Sequence, residues 1–426
     1  MFPSIIMMIF TSIYSVVDGL FVSNFVGKSA FAAVNLIMPF LMGISALGFM
    51  IGTGGSAIVA KTLGEGKIEN ANEYFSMLVY ITAIGGIIIA ILSMFLVKPV
   101  AILFGASGTL LDNCILYGRI LCISLPAFML QNVFQSFFVT AEKPHLGLRV
   151  IVIAGVTNMV LDFLFVAVLH FGLPGAGFAT VCGEFIGGLF PLFYFGRKNS
   201  SLLKLGKTHF HGRILLKTCT NGSSELMTNL SSSVVNALYN MQLMKFAGED
   251  GVAAYGTIMY VNFIFVSIFF GYAIGSAPIV SYHYGANNQD ELKNLFHKSI
   301  RLIGTWAVSL FIIAQLIATP LATLFVGYDQ GLFELTRSGF RLYSFAFLIN
   351  GFNIYGSAFF TALNNGLLSA LISFLRTLVF QMAVVLLLPL LLGINGVWCS
   401  VAIAELLTLC VTGTFIVLKH NTYHYL

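Results

Sequence analysis

Long runs of apolar residues, separated by short polar stretches, recur along the whole length of this chain. Each run holds roughly 20 residues or more, the length of α-helix that crosses the hydrocarbon core of a bilayer. The pattern predicts an all-α polytopic membrane protein with twelve transmembrane helices. We place these spans at approximately residues 3–25, 31–60, 74–97, 115–139, 148–169, 174–196, 215–245, 252–284, 299–319, 338–361, 367–391 and 394–418.

Composition supports this class of protein and narrows the functions to consider. Of the 426 residues, 58% are hydrophobic and 9% are charged, whereas soluble domains carry about 25% charged residues. The net charge of +5 fits basic cytoplasmic loops, so nucleic acid is not an expected partner. The six cysteines lack metal-like spacing, and His209 with His211 is read as part of a solvated basic loop, so no metal site is predicted. Without a phosphate-binding Gly-rich loop, neither ATP-driven transport nor an enzyme is indicated.

Basic residues are distributed unevenly between the two sets of loops. Fourteen lie on one side of the predicted membrane and six on the other, helix ends included. Because cytoplasmic loops carry an excess of Lys and Arg, both termini and the loop at 197–214 are predicted to be cytoplasmic, in a bacterial-type plasma (inner) membrane. The six residues on the opposite side are Lys28, Lys98, Arg119, Lys245, Arg337 and Arg341.

An internal repeat divides the chain. A shift of 221 residues aligns the two halves without a gap, so that Gly64 falls on Gly285 and Phe138 falls on Phe359. We therefore predict an N-terminal lobe at 1–196, an inter-lobe loop at 197–214 and a C-terminal lobe at 215–426. Six spans per repeat give both lobes the same orientation in the membrane, with a pseudo-twofold axis along the membrane normal and a cavity between the lobes.

The repeat is broken at two acidic positions. Asp18 aligns with Tyr239, and Asp162 aligns with Ala383, so both acids belong to the N-terminal lobe alone. Asp18 stands within an apolar run, one helical turn after Tyr14. An acid inside a membrane helix usually faces a water-filled cavity and takes part in ion or substrate movement. The alternative for Asp18 is simple pairing with another helix.

Polar pairs at helical spacing extend this predicted site. Asn158 and Asp162 are four residues apart on the fifth span, and Thr180 and Glu184 repeat that spacing on the sixth. Acids that converge in a low-dielectric site cannot all stay ionised, so a shared proton or a bound Na⁺ must neutralise them. The alternative for Asn158 with Asp162 is a hydrogen bond between helices.

Further charged residues are candidates for a substrate cavity. Glu225, near the start of the seventh span, either attracts a cationic substrate or lies in water at the cytoplasmic end of its helix. Glu184 and Glu405 occupy equivalent positions in the two repeats, which favours a shared structural role over substrate contact. Arg376 is unusual for a cavity that accepts cations, and we predict that it pairs with Glu405.

Two motifs resemble a known family. The pattern of residues 13–22, with Ile-Tyr followed by Val-Asp and Phe-Val, is similar to the first-helix signature of the multidrug and toxic compound extrusion (MATE) family. The stretch 157–162, Thr-Asn-Met-Val-Leu-Asp, resembles that family's Asn-x-x-x-Asp element. The twin glycine loops and the repeat agree along the whole chain, in particular with the bacterial branch of DinF-type and MepA-type exporters.

The resemblance implies a secondary antiporter that exports cationic or amphiphilic compounds in exchange for H⁺ or Na⁺ by alternating access. It implies small organic cations and the lipid bilayer as partners, no cofactor beyond the coupling ion, and a monomer. Gln135 stands where the family often has Asn, and Asn350 and Asn353 are the polar candidates where some relatives carry an acid. The coupling-ion site that the resemblance implies comprises Tyr14, Asp18, Asn158, Asp162 and Thr180.

A flippase for a lipid-linked sugar precursor is the alternative function, since such proteins share the repeat architecture. Its anionic pyrophosphate substrate needs a cationic cavity. Asp18, Asp162 and Glu225 indicate the opposite polarity, while Arg376 is the one residue in its favour. Ethidium efflux from cells lacking their own pumps would separate the two functions.

Overall fold

The computed structural model describes residues 1–327 and 329–425, without the side chains of residues 15, 16, 20, 23, 24 and 28. The side chain of Lys28, one of the six basic residues counted above, therefore lies outside the description. So does the whole of Leu426, the last residue of the predicted C-terminal lobe. The described chain is almost entirely helical and contains no strand. The predicted all-α class is confirmed.

Six helices make up the N-terminal half. Two of them continue directly into π-helical turns, α1 at Val22–Val26 and α5 at Phe163–Val168. The helices are α1 Phe2–Phe21, α2 Lys28–Gly64, α3 Ile68–Leu103, α4 Gly108–Thr140, α5 Pro144–Asp162 and α6 Gly172–Gly196.

The C-terminal half is more divided along the chain. A 3₁₀ turn at Ser344–Ala346 joins α9 to α10, and a π-helical turn at Leu375–Phe380 joins α11 to α12. The helices are α7 Gly212–Gly285, α8 Gln289–Val326, α9 Gln330–Tyr343, α10 Phe347–Ala362, α11 Gly366–Phe374, α12 Gln381–Leu387, α13 Pro389–Leu392 and α14 Ile394–Tyr423.

Helix α7 accounts for two of the predicted membrane spans. Eleven continuous helical stretches of the described chain are long and apolar enough to cross a membrane, and α7 is one of them with 74 residues. A straight helix of that length would extend roughly 110 Å, far more than a bilayer. Its backbone is broken at Gly248, where φ is 59° and ψ is −146°, a conformation that favours glycine. The break separates the predicted spans 215–245 and 252–284.

Each half of the chain builds its own apolar core. One cluster of buried side chains consists of residues between 235 and 425, joined by Ile5 of α1. The other clusters lie wholly within residues 22–203. The two halves are thus separate lobes, with the start of α1 packed against the C-terminal lobe.

The lobes are packed tightly together at the end that carries the 197–214 loop. Gly222 of α7 lies so close to α2 that an added Cβ would collide with the carbonyl oxygen of Met50. Nearby, Asn221 Nδ2 donates to the carbonyl oxygen of Gly54 at 3.5 Å, and Ser281 Oγ donates to that of Ala57. Close packing of helices at small residues is the usual way membrane helices associate.

The inter-lobe loop is held by the N-terminal lobe. Asn72 Oδ1 of α3 accepts a hydrogen bond from the backbone N–H of Lys204 at 2.6 Å. Thr208 Oγ1 donates to the carbonyl oxygen of Glu73 at 2.8 Å, and His211 Nε2 lies 3.4 Å from the carboxylate of the same residue. The connection between the lobes therefore runs along α3 rather than free in solvent.

Candidate functional site

A cavity of about 100 Å³ lies within the N-terminal lobe, between helices α1, α2, α4, α5 and α6. Its wall combines the carboxyl groups of Asp18 and Glu184 with amide, hydroxyl and methionine side chains. The lining residues are Tyr14, Asp18, Met38, Met42, Phe128, Gln131, Ala154, Asn158, Thr180, Gly183 and Glu184.

Asp18 and Asp162 meet beside this cavity. Asp18 is 9% exposed and Asp162 is fully buried. Their carboxyl groups lie within hydrogen-bonding reach of each other, yet neither oxygen of Asp162 receives a hydrogen bond from any described donor. Two carboxylates only accept hydrogen bonds, so they bond to each other only when one of them holds a proton. A proton held by one of the two acids would allow them to form such a bond.

Both acids lie just before a π-helical turn. Asp162 is the last residue of α5, immediately before the π turn at Phe163–Val168, and Asp18 lies one turn before the π turn at Val22–Val26. Such wide turns break the regular ladder of backbone hydrogen bonds and are frequent at functional sites. Sequence periodicity does not reveal them, because the apolar pattern continues through both turns.

Polar side chains on neighbouring helices surround the carboxyl pair. Asn158 Nδ2 donates to Thr180 Oγ1 at 3.4 Å, and Thr180 Oγ1 donates to the carbonyl oxygen of Ala176 at 3.1 Å. Tyr14 and Gln131 line the same cavity, and the Gln131 Oε1 atom is buried without a described donor. The Asn158 Oδ1 atom is buried without a described donor. It is therefore one more acceptor beside the cavity that a proton donor or a cation would satisfy.

Glycines allow the helices around the cavity to approach. A Cβ at Gly155 of α5 would fall 2.9 Å from the ring of Tyr14. A Cβ at Gly187 of α6 would collide with the side chain of Gln131. The two glycines therefore leave the space that Tyr14 and Gln131 occupy in the cavity wall.

The structure brings together most of the residues predicted for the ion site. Tyr14, Asp18, Asn158 and Thr180 line one cavity, with Asp162 directly beside it. Glu184, which the repeat symmetry favoured as structural, lines the same cavity. Their roles in ion coupling stay predictions.

Gln135 does not lie on this cavity. It is one helical turn beyond Gln131 on α4, and its amide oxygen is buried without a described partner. Gln131 is the glutamine that lines the cavity together with Tyr14, and sequence reasoning missed it. Tyr117 was missed as well; its side chain is fully buried, and its hydroxyl has no described hydrogen-bond partner. The available signal for Gln131 was its i, i+4 relation to Gln135, which places both on one face of α4.

A larger cavity, of about 310 Å³, lies in the C-terminal lobe and reaches α1. Arg376 Nε donates to Glu405 Oε1 at 2.8 Å and to Oε2 at 3.1 Å, which confirms the predicted ion pair. Asn353 Nδ2 donates to Glu405 Oε2 at 2.7 Å. The amide nitrogen of Asn350, in the orientation that satisfies its neighbours, lies 3.2 Å from Oε1. Unlike Asp18 and Asp162, this acid is neutralised by a side chain of the protein.

In the second lobe, the position equivalent to Asp18 is occupied by Tyr239, whose hydroxyl forms an ordinary hydrogen bond. Tyr239 is fully buried, and its hydroxyl donates to Gln381 Oε1 at 2.9 Å. Its ring stacks on that of Tyr255, with 5.5 Å between the ring centroids. The repeat thus keeps the cavity but replaces the acid with a satisfied neutral group.

Glu225 lines a small cavity of about 30 Å³ between the two lobes. Thr53 and Ser56 of α2 and Ser136 of α4 form one wall, and residues of α7 and α10 form the other. Glu225 therefore faces the space between the lobes rather than the outer surface. Glu225 has no ion-pair partner among the described residues, and Arg376 lines the other, larger cavity.

Fold and cavities together define a multi-pass membrane transporter with two related lobes. The model of the MatE family matches residues 3–164 and again residues 226–387, one match in each half. The chain belongs to the MatE family.

Two proteins similar to this chain are named multidrug export proteins. It is 21% identical over 420 residues to the multidrug export protein MepA of Staphylococcus saprophyticus, covering 97% of this chain and 91% of that protein. It is 23% identical over 410 residues to the MepA protein of Staphylococcus haemolyticus, covering 96% and 89%. The fold matches the outward-facing conformation of a multidrug resistance MATE family transporter of the MOP superfamily, with a TM-score of 0.94, 23% identity and coverage of 100% and 95%.

Proposed function

We propose that this protein is an antiporter that exports cationic or amphiphilic compounds in exchange for protons, and that the Asp18–Asp162 pair holds the exchanged proton. The observation that carries the proposal is the direct meeting of two buried carboxyl groups. A sodium ion bound between the acids would separate them, whereas a shared proton draws them into contact. Sodium coupling is therefore the competing outcome of the test below.

Helix α1 supplies a physical link between proton and substrate. Tyr14 and Asp18 line the N-lobe cavity, while Met8 and Ser12 of the same helix line the C-lobe cavity. Loss of the shared proton leaves two like charges in contact at low dielectric, which favours any rearrangement that separates α1 from α5. Such a movement of α1 changes the wall of the larger cavity and hence its affinity for substrate.

The packing of the lobes supports an orientation for this state. The lobes are sealed at the end that carries the inter-lobe loop, where Gly222 contacts α2. With that loop and both termini in the cytoplasm, as the basic residues predict, the closed end faces inward. The protein then has the outward-facing form, from which substrate is released and the next proton is taken up.

Cavity polarity favours cations over anions. Glu225 and Glu184 face cavities without an ion-pair partner among the described residues, and Asp18 stands beside Glu184. The cation in the described lining of the larger cavity, Arg376, is held by Glu405. A flippase for an anionic lipid pyrophosphate would need an excess of positive charge here, so we do not propose that alternative.

Reconstitution in proteoliposomes tests the proposal. Ethidium, a permanent cation, should accumulate in the acidic compartment when a pH gradient is imposed, because protons leaving that compartment drive it in. A sodium gradient without a pH gradient should have no effect. Accumulation driven by sodium alone would assign Na⁺ as the coupling ion, and accumulation under neither gradient would refute antiport of this cation.

A further inference from the structure

The guanidinium group of Arg376 has donors to spare. Its Nε–H is directed at both oxygens of Glu405. No described group accepts a hydrogen bond from its two terminal nitrogens, and neither of them is among the buried unpartnered atoms. The side chain of Arg376 is 12% exposed, against 3% for Glu405, and Arg376 lines the C-lobe cavity. Four N–H groups are thus open toward the cavity.

Glu405 is satisfied without these four donors. Its carboxylate accepts from Arg376 Nε and from Asn353 Nδ2, and the amide of Asn350 lies within reach of Oε1. Its negative charge is therefore stabilised from two parts of the lobe: Arg376 in the π-helical turn, and Asn350 and Asn353 in α10. Because the carboxylate is saturated, the terminal nitrogens of Arg376 remain available as a planar fork, the geometry that suits a carboxylate or phosphate group.

The rest of the wall of the C-lobe cavity suits a ligand that has an aromatic ring system between two polar groups. Tyr239, stacked on Tyr255, and Phe263 present ring surface to the cavity. A volume of about 310 Å³ lies at the lower end of the range of small-molecule pockets, about 300–1,000 Å³. Phe270 lines both this cavity and the smaller one that contains Glu225, so the two spaces adjoin.

We propose that Arg376 is the recognition site for an oxyanion, and that the C-lobe cavity takes zwitterionic aromatic amphiphiles. The carboxylate or phosphate of such a compound binds the open fork of Arg376, its rings lie against Tyr239, and its cationic group faces Glu225. The inference specifies a substrate class for the proposed exporter and rests on that function for transport. Binding to the cavity is tested separately from transport.

A matched pair of dyes tests the oxyanion. Rhodamine 110 carries a free carboxylate, and rhodamine 123 is its methyl ester. Fluorescence anisotropy with the purified full chain in detergent gives the Kd of each dye. The double variant Arg376→Gln with Glu405→Gln keeps the net charge and leaves no buried charge unpaired. This variant should raise the Kd of rhodamine 110 about tenfold or more, as expected for a lost charged hydrogen bond. It should raise the Kd of rhodamine 123 less than about twofold.

Two further variants separate recognition from general effects of charge. Arg301→Gln removes an exposed arginine on α8, away from the cavity, and should leave both Kd values unchanged. Arg376→Lys keeps the cation but lacks the planar fork, and should lose most of the preference for rhodamine 110. If the double variant does not fold, Arg376→Lys still tests whether the planar guanidinium group recognises the carboxylate of rhodamine 110.

The inference would be overturned if the double variant raised the Kd of both dyes equally, or if it raised neither. Full retention of rhodamine 110 binding in Arg376→Lys would also overturn it, because a point charge would then suffice. Failure of the proposed function gives a different result. In that case ethidium is not transported under any gradient, while the discrimination between the two dyes still depends on Arg376.

Discussion

Replacement of the two N-lobe acids, singly and together, is the most informative change to the coupling site. The structure places the carboxyl groups of Asp18 and Asp162 next to each other, and a hydrogen bond between them would hold two oxygens about 3 Å apart. At an effective dielectric constant of about 20, two negative charges at that distance repel by about 5 kcal/mol. Such a repulsion disfavours double ionisation by more than about a thousandfold.

One proton is therefore retained by the pair as a unit. Asp18→Asn and Asp162→Asn each leave a single acid with no partner to share its proton, so each removes the same step of the cycle. We expect each single variant to lose about tenfold or more of its proton-driven ethidium transport, and the double variant to lose no more than the worse single variant. Independent sites would give losses that multiply.

The assay is ethidium accumulation in proteoliposomes under a fixed pH gradient, normalised to the amount of reconstituted protein. Asp112→Asn, an exposed acid on α4 of the same lobe, is the matched control and should transport normally. Multiplicative losses in the double variant would refute the shared proton. Binding of ethidium, measured by fluorescence, should survive better than transport, because the drug cavity and the carboxyl pair are separate.

Three further changes test the packing of the C-terminal lobe and the seal between the lobes. Glu405→Gln alone leaves Arg376 without its counter-ion and should lower the Tm, which the double variant with Arg376→Gln largely restores. The loss should stay below the about 3–5 kcal/mol expected for a fully buried pair, because the arginine is partly open to the cavity. Tyr239→Phe removes one buried hydrogen bond and should cost about 1–3 kcal/mol by the same measurement, while most ethidium transport remains. Gly222→Val forces a side chain into the backbone of α2 and should open the loop end of the interface. In a protein whose other cysteines are replaced, a membrane-impermeant maleimide added on that side should then label the neighbouring Cys219 severalfold faster than it does without the Gly222→Val change. An unchanged rate of labelling would mean that the seal does not depend on this contact.

The fold could be predicted from the sequence because its signals are long and redundant. Continuous apolar runs located the spans, and the 221-residue shift showed that they form two similar sets. The details that escaped prediction are local changes of backbone geometry. The break at Gly248 occurs inside a helical assignment that runs from Gly212 to Gly285, and the π-helical turns after Asp18 and Asp162 leave the apolar pattern intact.

Parts of the site could be predicted because helical spacing places residues on one face. This reasoning grouped Asn158 with Asp162, and Tyr14 with Asp18. It could not rank Gln131 above Gln135, since both lie on one face of α4 and only the depth of the cavity separates them. Repeat symmetry placed Glu184 and Glu405 at equivalent positions, and each of them lines a cavity of its own lobe. It did not show which charges surround each acid: Glu405 is paired with Arg376, whereas Glu184 has no ion-pair partner among the described residues.

Proton release on substrate binding tests the central claim most directly. Purified protein in weakly buffered detergent solution would be titrated with ethidium while a pH indicator records the protons released. If substrate and proton exchange through the Asp18–Asp162 pair, the wild-type protein should release about one proton per bound ethidium, and Asp18→Asn should bind ethidium with no release. Equal proton release by both proteins, or binding to the wild-type protein without release, would contradict the account.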